Sequence, residues 1–261
     1  MNASELYRTG QLKPAIDAQL EDVRSHPADH AKRLFLFELL VFAGDLERAK
    51  KHIDLLEFDE IELKAAVQAY KLLLDSEIAR RRLFSESLVP RFFGEQSESV
   101  KLRLQAVNFL RQDRQAEATD LLADLNQHTE SLKGDIDGKP FQGLRDCDDL
   151  LAGILEVMAQ GGYYWVPLEQ IESIATVAPK FPRDLIWTST RLELKDGSGG
   201  NVFLPILYPG SHEHADDQVK LGRLTDWKTS EQGPVLGVGA HMLLAGEEDK
   251  PLLECRLINF E

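Results

Sequence analysis

Two segments of the chain match each other 34 residues apart: Gly10-Gln11-Leu12-Lys13-Pro14-Ala15 and Gly44-Asp45-Leu46-Glu47-Arg48-Ala49 share Gly, Leu and Ala at equivalent positions. A fixed period of this length means stacked helix pairs, because one pair cannot bury its apolar face alone. The three shared residues have a mechanical reading. Gly closes the first helix of each pair, Leu packs beneath the turn, and the small Ala lets the second helix lie close against the first. His26-Pro27 ends the second helix of the first pair, since the residue before Pro avoids helical angles and Pro starts a helix well. A degenerate copy follows at Asp113-Arg114-Gln115-Ala116-Glu117-Ala118, and Ile61 to Phe84 reads as helical without the Gly.

The spacing is that of tetratricopeptide repeats, whose stacked pairs form a concave surface suited to a peptide or helix of a partner. From Ala31 to Ala43, Leu34, Phe35, Phe37, Leu39, Leu40, Val41 and Phe42 cover more than one helical stripe, so this helix has two neighbours. By analogy with tetratricopeptide packing, Leu34, Glu38, Val41 and Phe42 point to the groove, and the plainer reading of the same residues is core between repeats. Only Met1 to Thr9 precede Gly10, so the first helix is short and the groove shallow at that end.

Glycine and proline separate the chain into two parts. Before Ser131 there are 3 Gly and 3 Pro, and from Ser131 onward 15 and 8. Helices tolerate few of either residue while strands and tight turns use both. The expected organisation is α+β: a tetratricopeptide-like helical domain over residues 1–132 and a smaller β-rich domain with two short helices over 133–261. Charge narrows the partners. The chain carries 30 basic and 44 acidic residues, net −14, and each part has an acidic excess. Nucleic acid is therefore not an expected partner. The longest apolar stretch, Leu34 to Ala43, is interrupted by Glu38 and is too short to span a bilayer. The start, Met1-Asn2-Ala3-Ser4-Glu5, lacks a signal-peptide layout, so a cytoplasmic location is expected. Cys147 and Cys255 have no CxxC spacing and signal neither a disulfide framework nor a zinc site.

In the second part, Lys133-Gly134-Asp135-Ile136-Asp137-Gly138-Lys139-Pro140 reads as a linker. Asp148 to Ala159 reads as an amphipathic helix ending at Gly161-Gly162, and Tyr163-Tyr164-Trp165-Val166 as a strand. Pro167 can start a short helix from Leu168 to Ala175. Leu185 to Lys195 alternates, with Arg191, Glu193 and Lys195 on one face and Leu192 and Leu194 on the other, and forms a hairpin with Asn201 to Leu207 across Asp196-Gly197-Ser198-Gly199-Gly200. Val235 to Ala245 and Leu252 to Phe260 form a second strand pair, giving a curled sheet of four or five strands.

Catalytic signals are sparse. His212-Glu213-His214-Ala215-Asp216-Asp217 offers two imidazoles and three carboxylates that in principle hold a divalent metal, and a metal-dependent hydrolase would use His212, His214, Asp216 and Asp217. The run follows Pro209-Gly210-Ser211 and has the composition of a polar loop, so a solvated loop is the preferred reading. There is no GxSxG elbow, no phosphate-binding GxxxxGK[ST] and no third Gly after Gly237-Val238-Gly239. No cofactor is implied. Arg80-Arg81-Arg82, flanked by Asp75, Glu77 and Glu86, reads as a solvated helix face, and Trp165, Trp187 and Trp227 as core.

Several motifs in one order carry a resemblance: Leu144-Arg145-Asp146-Cys147-Asp148-Asp149, Gly162-Tyr163-Tyr164-Trp165-Val166-Pro167, Arg183-Asp184-Leu185-Ile186-Trp187, Val202 to Ser211, and Leu221-Gly222-Arg223-Leu224-Thr225-Asp226-Trp227. Together they resemble the ImpE/SciE/TagJ family of type VI secretion accessory proteins, over nearly the whole chain. The resemblance implies a cytoplasmic, non-catalytic adapter that binds the N-terminal helix of the small contractile-sheath subunit and is linked to the ClpV ATPase that disassembles the sheath. It supplies no catalytic residues. A generic repeat scaffold for another peptide is the alternative within the binding class.

Overall fold

In a computed structural model, which describes residues 1–86, 88–128 and 132–261, the chain is α+β. Seven helices come first: α1 (Ala3–Arg8), α2 (Leu12–Ser25), α3 (His30–Phe42), α4 (Leu46–Asp54), α5 (Ile61–Ser85), α6 (Glu98–Arg111) and α7 (Gln115–His128). The starts of several follow from local chemistry. Asn2 and Glu5 form a reciprocal capping box on α1, while Asp29, Asp45 and Ser97 accept backbone N–H groups at the starts of α3, α4 and α6. Gly10 and Gly44 adopt φ of 78° and 77° between successive helices, a left-handed conformation that favours glycine. Leu12 and Leu46 are buried below these turns, and Ala15 and Ala49 are closed to solvent.

Thirteen strands follow among the described residues: β1 (Lys133–Ile136), β2 (Lys139–Gln142), β3 (Leu144–Asp146), β4 (Ile154–Ala159), β5 (Gly162–Pro167), β6 (Ile171–Thr176), β7 (Trp187–Leu194), β8 (Gly199–Pro205), β9 (Thr225–Lys228), β10 (Leu236–Gly239), β11 (Met242–Ala245), β12 (Glu248–Pro251) and β13 (Leu257–Phe260). A four-residue helix, α8 (Asp217–Lys220), lies between β8 and β9. Eight strands form an antiparallel sheet in the order β2-β1-β13-β6-β7-β8-β4-β5, with a three-stranded sheet β12-β11-β3 and a pair β10-β9.

The hairpin of β7 and β8 and strand β5 match the sequence expectations; other segments differ. Residues 133–140 are not a linker but most of the β1–β2 hairpin, turning at Asp137 and Gly138 with φ of 54° and 80°. Asp148 to Ala159 is not a helix: it makes turns and then β4, whose side chains are buried on both faces, so no two-residue alternation marks it. After Pro167 only Leu168–Gln170 is helical, as one 3-10 turn, before β6 begins. The segments 235–245 and 252–260 do not pair with each other. β11 pairs with β12, while β13 inserts between β1 and β6 of the large sheet.

Two of the three apolar clusters join helices to strands. In one, Leu36, Phe37, Leu40 and Phe42 pack with Met158, Ile186 and Trp187. In another, Val100, Val107 and Leu122 meet Leu150, Ile154 and Trp165. The helical layer therefore completes its core against the sheets.

Candidate binding face and the seam behind it

The four residues expected to line a groove all lie on α3, and the chain's own β portion covers three of them. Val41 and Phe42 are 4% and 1% exposed. Together with Ile186, Pro205 and Leu207 they enclose a void of only about 30 Å3. Glu38 is 3% exposed, and Arg183 Nη1 donates to its Oε1 at 2.9 Å. Burial pushes the Glu38 carboxyl up to about 7, with the Arg183 hydrogen bond and charge opposing the shift. Only Leu34 is half-buried, beside the same cluster. The residues brought together here are thus a seam between helices and sheets.

Further along the seam, α5 supplies Arg80. Its Nε and Nη2 donate to Glu156 Oε1 and Oε2 on β4 at 2.7 and 2.6 Å, and Nη2 also reaches the Leu207 carbonyl at 2.8 Å. The expected solvated face of Arg80-Arg81-Arg82 holds for Arg82 alone: Arg80 is 3% exposed, and half-buried Arg81 donates to the Gly44 carbonyl. The missing signal was the partner, which lies 76 residues away in sequence. Behind Glu156, His241 bridges two carboxylates, with Nδ1 2.7 Å from Asp146 Oδ2 and Nε2 3.1 Å from Glu156 Oε2. Tyr163 donates to Glu156, and Tyr208 to Asp146, each at 2.5 Å.

The electrostatics follow from this layout. Burial alone would favour a neutral His241 ring, but Asp146 and Glu156 outweigh it and lift the imidazole to about 9. Burial likewise opposes the Glu156 charge, and Arg80 with His241 hold that carboxyl well below its ordinary range. Asp148 accepts the N–H groups of Leu150, Leu151 and Gly237, yet burial and Asp146 push it up to about 7. Although acids, imidazole and phenols meet here, the void beside His241 is only about 20 Å3, room for about one water. The network is a buried electrostatic clasp between α5, β3 and β4, and the void on its His241 side is too small for a substrate.

The side chains of the loop read as a possible metal site are dispersed among separate partners. His212 stacks against Gly44, His214 Nε2 lies 3.3 Å from Asp226, Asp216 caps α8, and Asp217 accepts from the Leu12 N–H at 2.8 Å. Among the described residues no group of three or more His, Cys, Asp or Glu side chains is arranged to hold a metal. What the loop does is seal the helix turns. Gln218 covers Gly10 as His212 covers Gly44, Asp217 satisfies an N–H at the start of α2, whose N-cap Gln11 gives no side-chain bond, and Arg223 donates to the Tyr7 and Arg8 carbonyls at the end of α1. No helix among the described residues is long and apolar enough to cross a membrane.

A solved structure shares the fold, and known sequences resemble the chain. The crystal structure of protein VPA1032 from Vibrio parahaemolyticus has the same fold, with a TM-score of 0.88 over 99% of this chain and 97% of that one at 23% identity. Residues 138–259 match the family described as ImpE protein. Over all of its 261 residues the chain is 33% identical to the type VI secretion system accessory component TagJ of Pseudomonas aeruginosa, of which it covers 92%. By this full-length similarity and the family match across its β portion, the chain belongs to the ImpE/TagJ family.

Proposed function

We propose that the protein is a cytoplasmic accessory adapter of a bacterial type VI secretion system, whose helix pairs act as tetratricopeptide-like repeats that bind the N-terminal helix of the small contractile-sheath subunit, in a step linked to ClpV-driven disassembly. The observation that carries this reading is the 33% identity to TagJ over the full chain. The division at residues 132 and 133 then separates a recognition part from a β-rich part that braces it.

The closed α3 face moves the docking surface. Because the chain's own β portion covers Glu38, Val41 and Phe42 and leaves Leu34 only half-exposed, we place the partner helix at the turn from α4 into α5. There Leu55, Ile61 and Leu63 are 60%, 78% and 43% exposed. The exposed Glu57, Asp59, Glu60 and Glu62 surround them, against Lys64 and an Lys71 that is paired with Asp54 at 3.1 Å. Apolar side chains ringed by acids suit an amphipathic helix with basic residues. Calorimetric titration with a synthetic peptide of the sheath subunit's N-terminal helix, beside a scrambled control, tests the adapter reading. Saturable binding of the native peptide alone is expected. Equal behaviour of the two peptides would sink the adapter reading, and native binding undiminished in Ile61→Asp would refute the surface.

A further inference from the structure

A cavity of about 500 Å3 opens between α5, α6 and the β portion, separate from the α4–α5 surface. Its size falls within the range of small-molecule sites, which favour the joins between structural units and combine apolar walls with a few polar groups. Phe84, Val107 and Leu110 supply the apolar wall. The charged groups of the lining are unequal in their commitments. Arg80 is taken by Glu156, and Glu77 lies 3.6 Å from Arg80 and 3.3 Å from Arg81. Asp148 accepts three backbone N–H groups, and Glu213 reaches His212 at 3.8 Å. Two cations are left over. Among the described residues Arg111 donates only to neutral oxygens, the Leu83 carbonyl and Asn108, and Lys228, which flanks Gly210 together with the Glu213 carboxylate, makes no ion pair within 4 Å.

An uncommitted guanidinium and an uncommitted ammonium on one apolar cavity stand out in a chain of net charge −14. Carboxylate and phosphate oxygens are what such donors recognise, and the low polarity of the wall strengthens the attraction. We propose that this cavity binds a small organic anion, its carboxylate or phosphate head held by Arg111 and Lys228 and its apolar body lying over Phe84, Val107 and Leu110. This site is independent of the adapter reading, since none of its residues belongs to the α4–α5 surface.

The test is calorimetric titration of the full chain with octanoate, octyl phosphate and octanol. Saturable binding of one or both anions is expected, with octanol weaker by about tenfold or more, since it lacks the charge-assisted hydrogen bonds. Which anion binds more tightly tells a carboxylate head from a phosphate head. The double variant Arg111→Met, Lys228→Met should keep the unfolding temperature of the parent, because Lys228 is exposed, Arg111 is half-buried and neither makes an ion pair among the described residues, and lose the preference for the anions. Leu110→Trp, which fills the wall, should abolish binding of every probe. Binding of neither anion, octanol binding as tightly as the anions, or an undiminished preference in the double variant would each overturn the proposal.

Discussion

Replacing Arg80 with Met tests whether the buried clasp holds helices and sheets together. Arg80 meets Glu156 through two short hydrogen bonds, at 2.7 and 2.6 Å, with both side chains almost wholly buried. For charge centres about 4 Å apart in a medium of effective permittivity near 20, the attraction is about 4 kcal/mol. Arg80→Met removes it and strands a carboxylate whose remaining counter-charge is His241, so the expected loss is about 3–5 kcal/mol. Glu156→Gln leaves Arg80 with Glu77, at 3.6 Å, as its remaining counter-charge and should likewise be destabilising. The double variant strands neither, and the Gln amide oxygen still accepts from Tyr163, so it should lose about 2–3 kcal/mol less than the sum of the single losses. Urea unfolding followed by tryptophan fluorescence reads this directly, because Trp165 Nε1 donates to the Tyr163 hydroxyl that binds Glu156. A single-variant loss below about 1 kcal/mol, or strict additivity in the double variant, would refute the clasp.

The same network predicts pH dependence. His241 is raised from 6.5 to about 9, so its contribution is complete below 6.5 and is lost as pH climbs through about 9, a span of about 3 kcal/mol. Urea midpoints should fall across that window in the parent chain and flatten in His241→Gln; equal slopes would refute the assignment. Gly44→Ala should cost more than the roughly 1–2 kcal/mol of a left-handed backbone alone, because the added methyl lies 2.1 Å from the His212 ring and 2.9 Å from its Cβ. Gly10→Ala meets the movable amide end of Gln218 and should cost less, an order that thermal unfolding checks. Asp217→Ala removes the acceptor for the Leu12 N–H and should cost about 1 kcal/mol in the same assay; an unchanged unfolding temperature would refute that role.

What sequence reasoning reached was local. The Gly-Leu-Ala spacing places two helix turns because the left-handed glycine and the close-packed alanine are requirements of a single turn. Alternation revealed β7, since its charged face meets solvent. The same test failed for β4, where both faces are buried, and the Leu150, Leu151, Ile154, Leu155 spacing imitated a helix. At Asp137-Gly138 the signal was present: an Asp-Gly pair between short segments is a hairpin turn, but the charged composition around it resembled a linker. The candidate face was the least legible. Val41 and Phe42 have the same side chains whether a partner or the chain itself covers them, and the covering residues Ile186, Pro205 and Leu207 lie more than a hundred positions away. Arg80 is a similar case, a cation whose burial is intelligible only once Glu156 is beside it.

The position of β13 bears on how the protein is made. In the large sheet β13 alone joins the β2-β1 hairpin to the β6-β7-β8-β4-β5 block, and Asn259 reaches Asp135 across 124 residues of sequence. During synthesis at about 5–20 residues per second, the helices and the block can form while residues 257–260 are still inside the ribosome. Until those residues emerge, the facing edges of β1 and β6 carry unpaired backbone groups, each a template for another chain's strand. Folding of this sheet is therefore gated by its latest strand, and a product shortened before Leu257 should be prone to clump in the cell, whatever becomes of its helices.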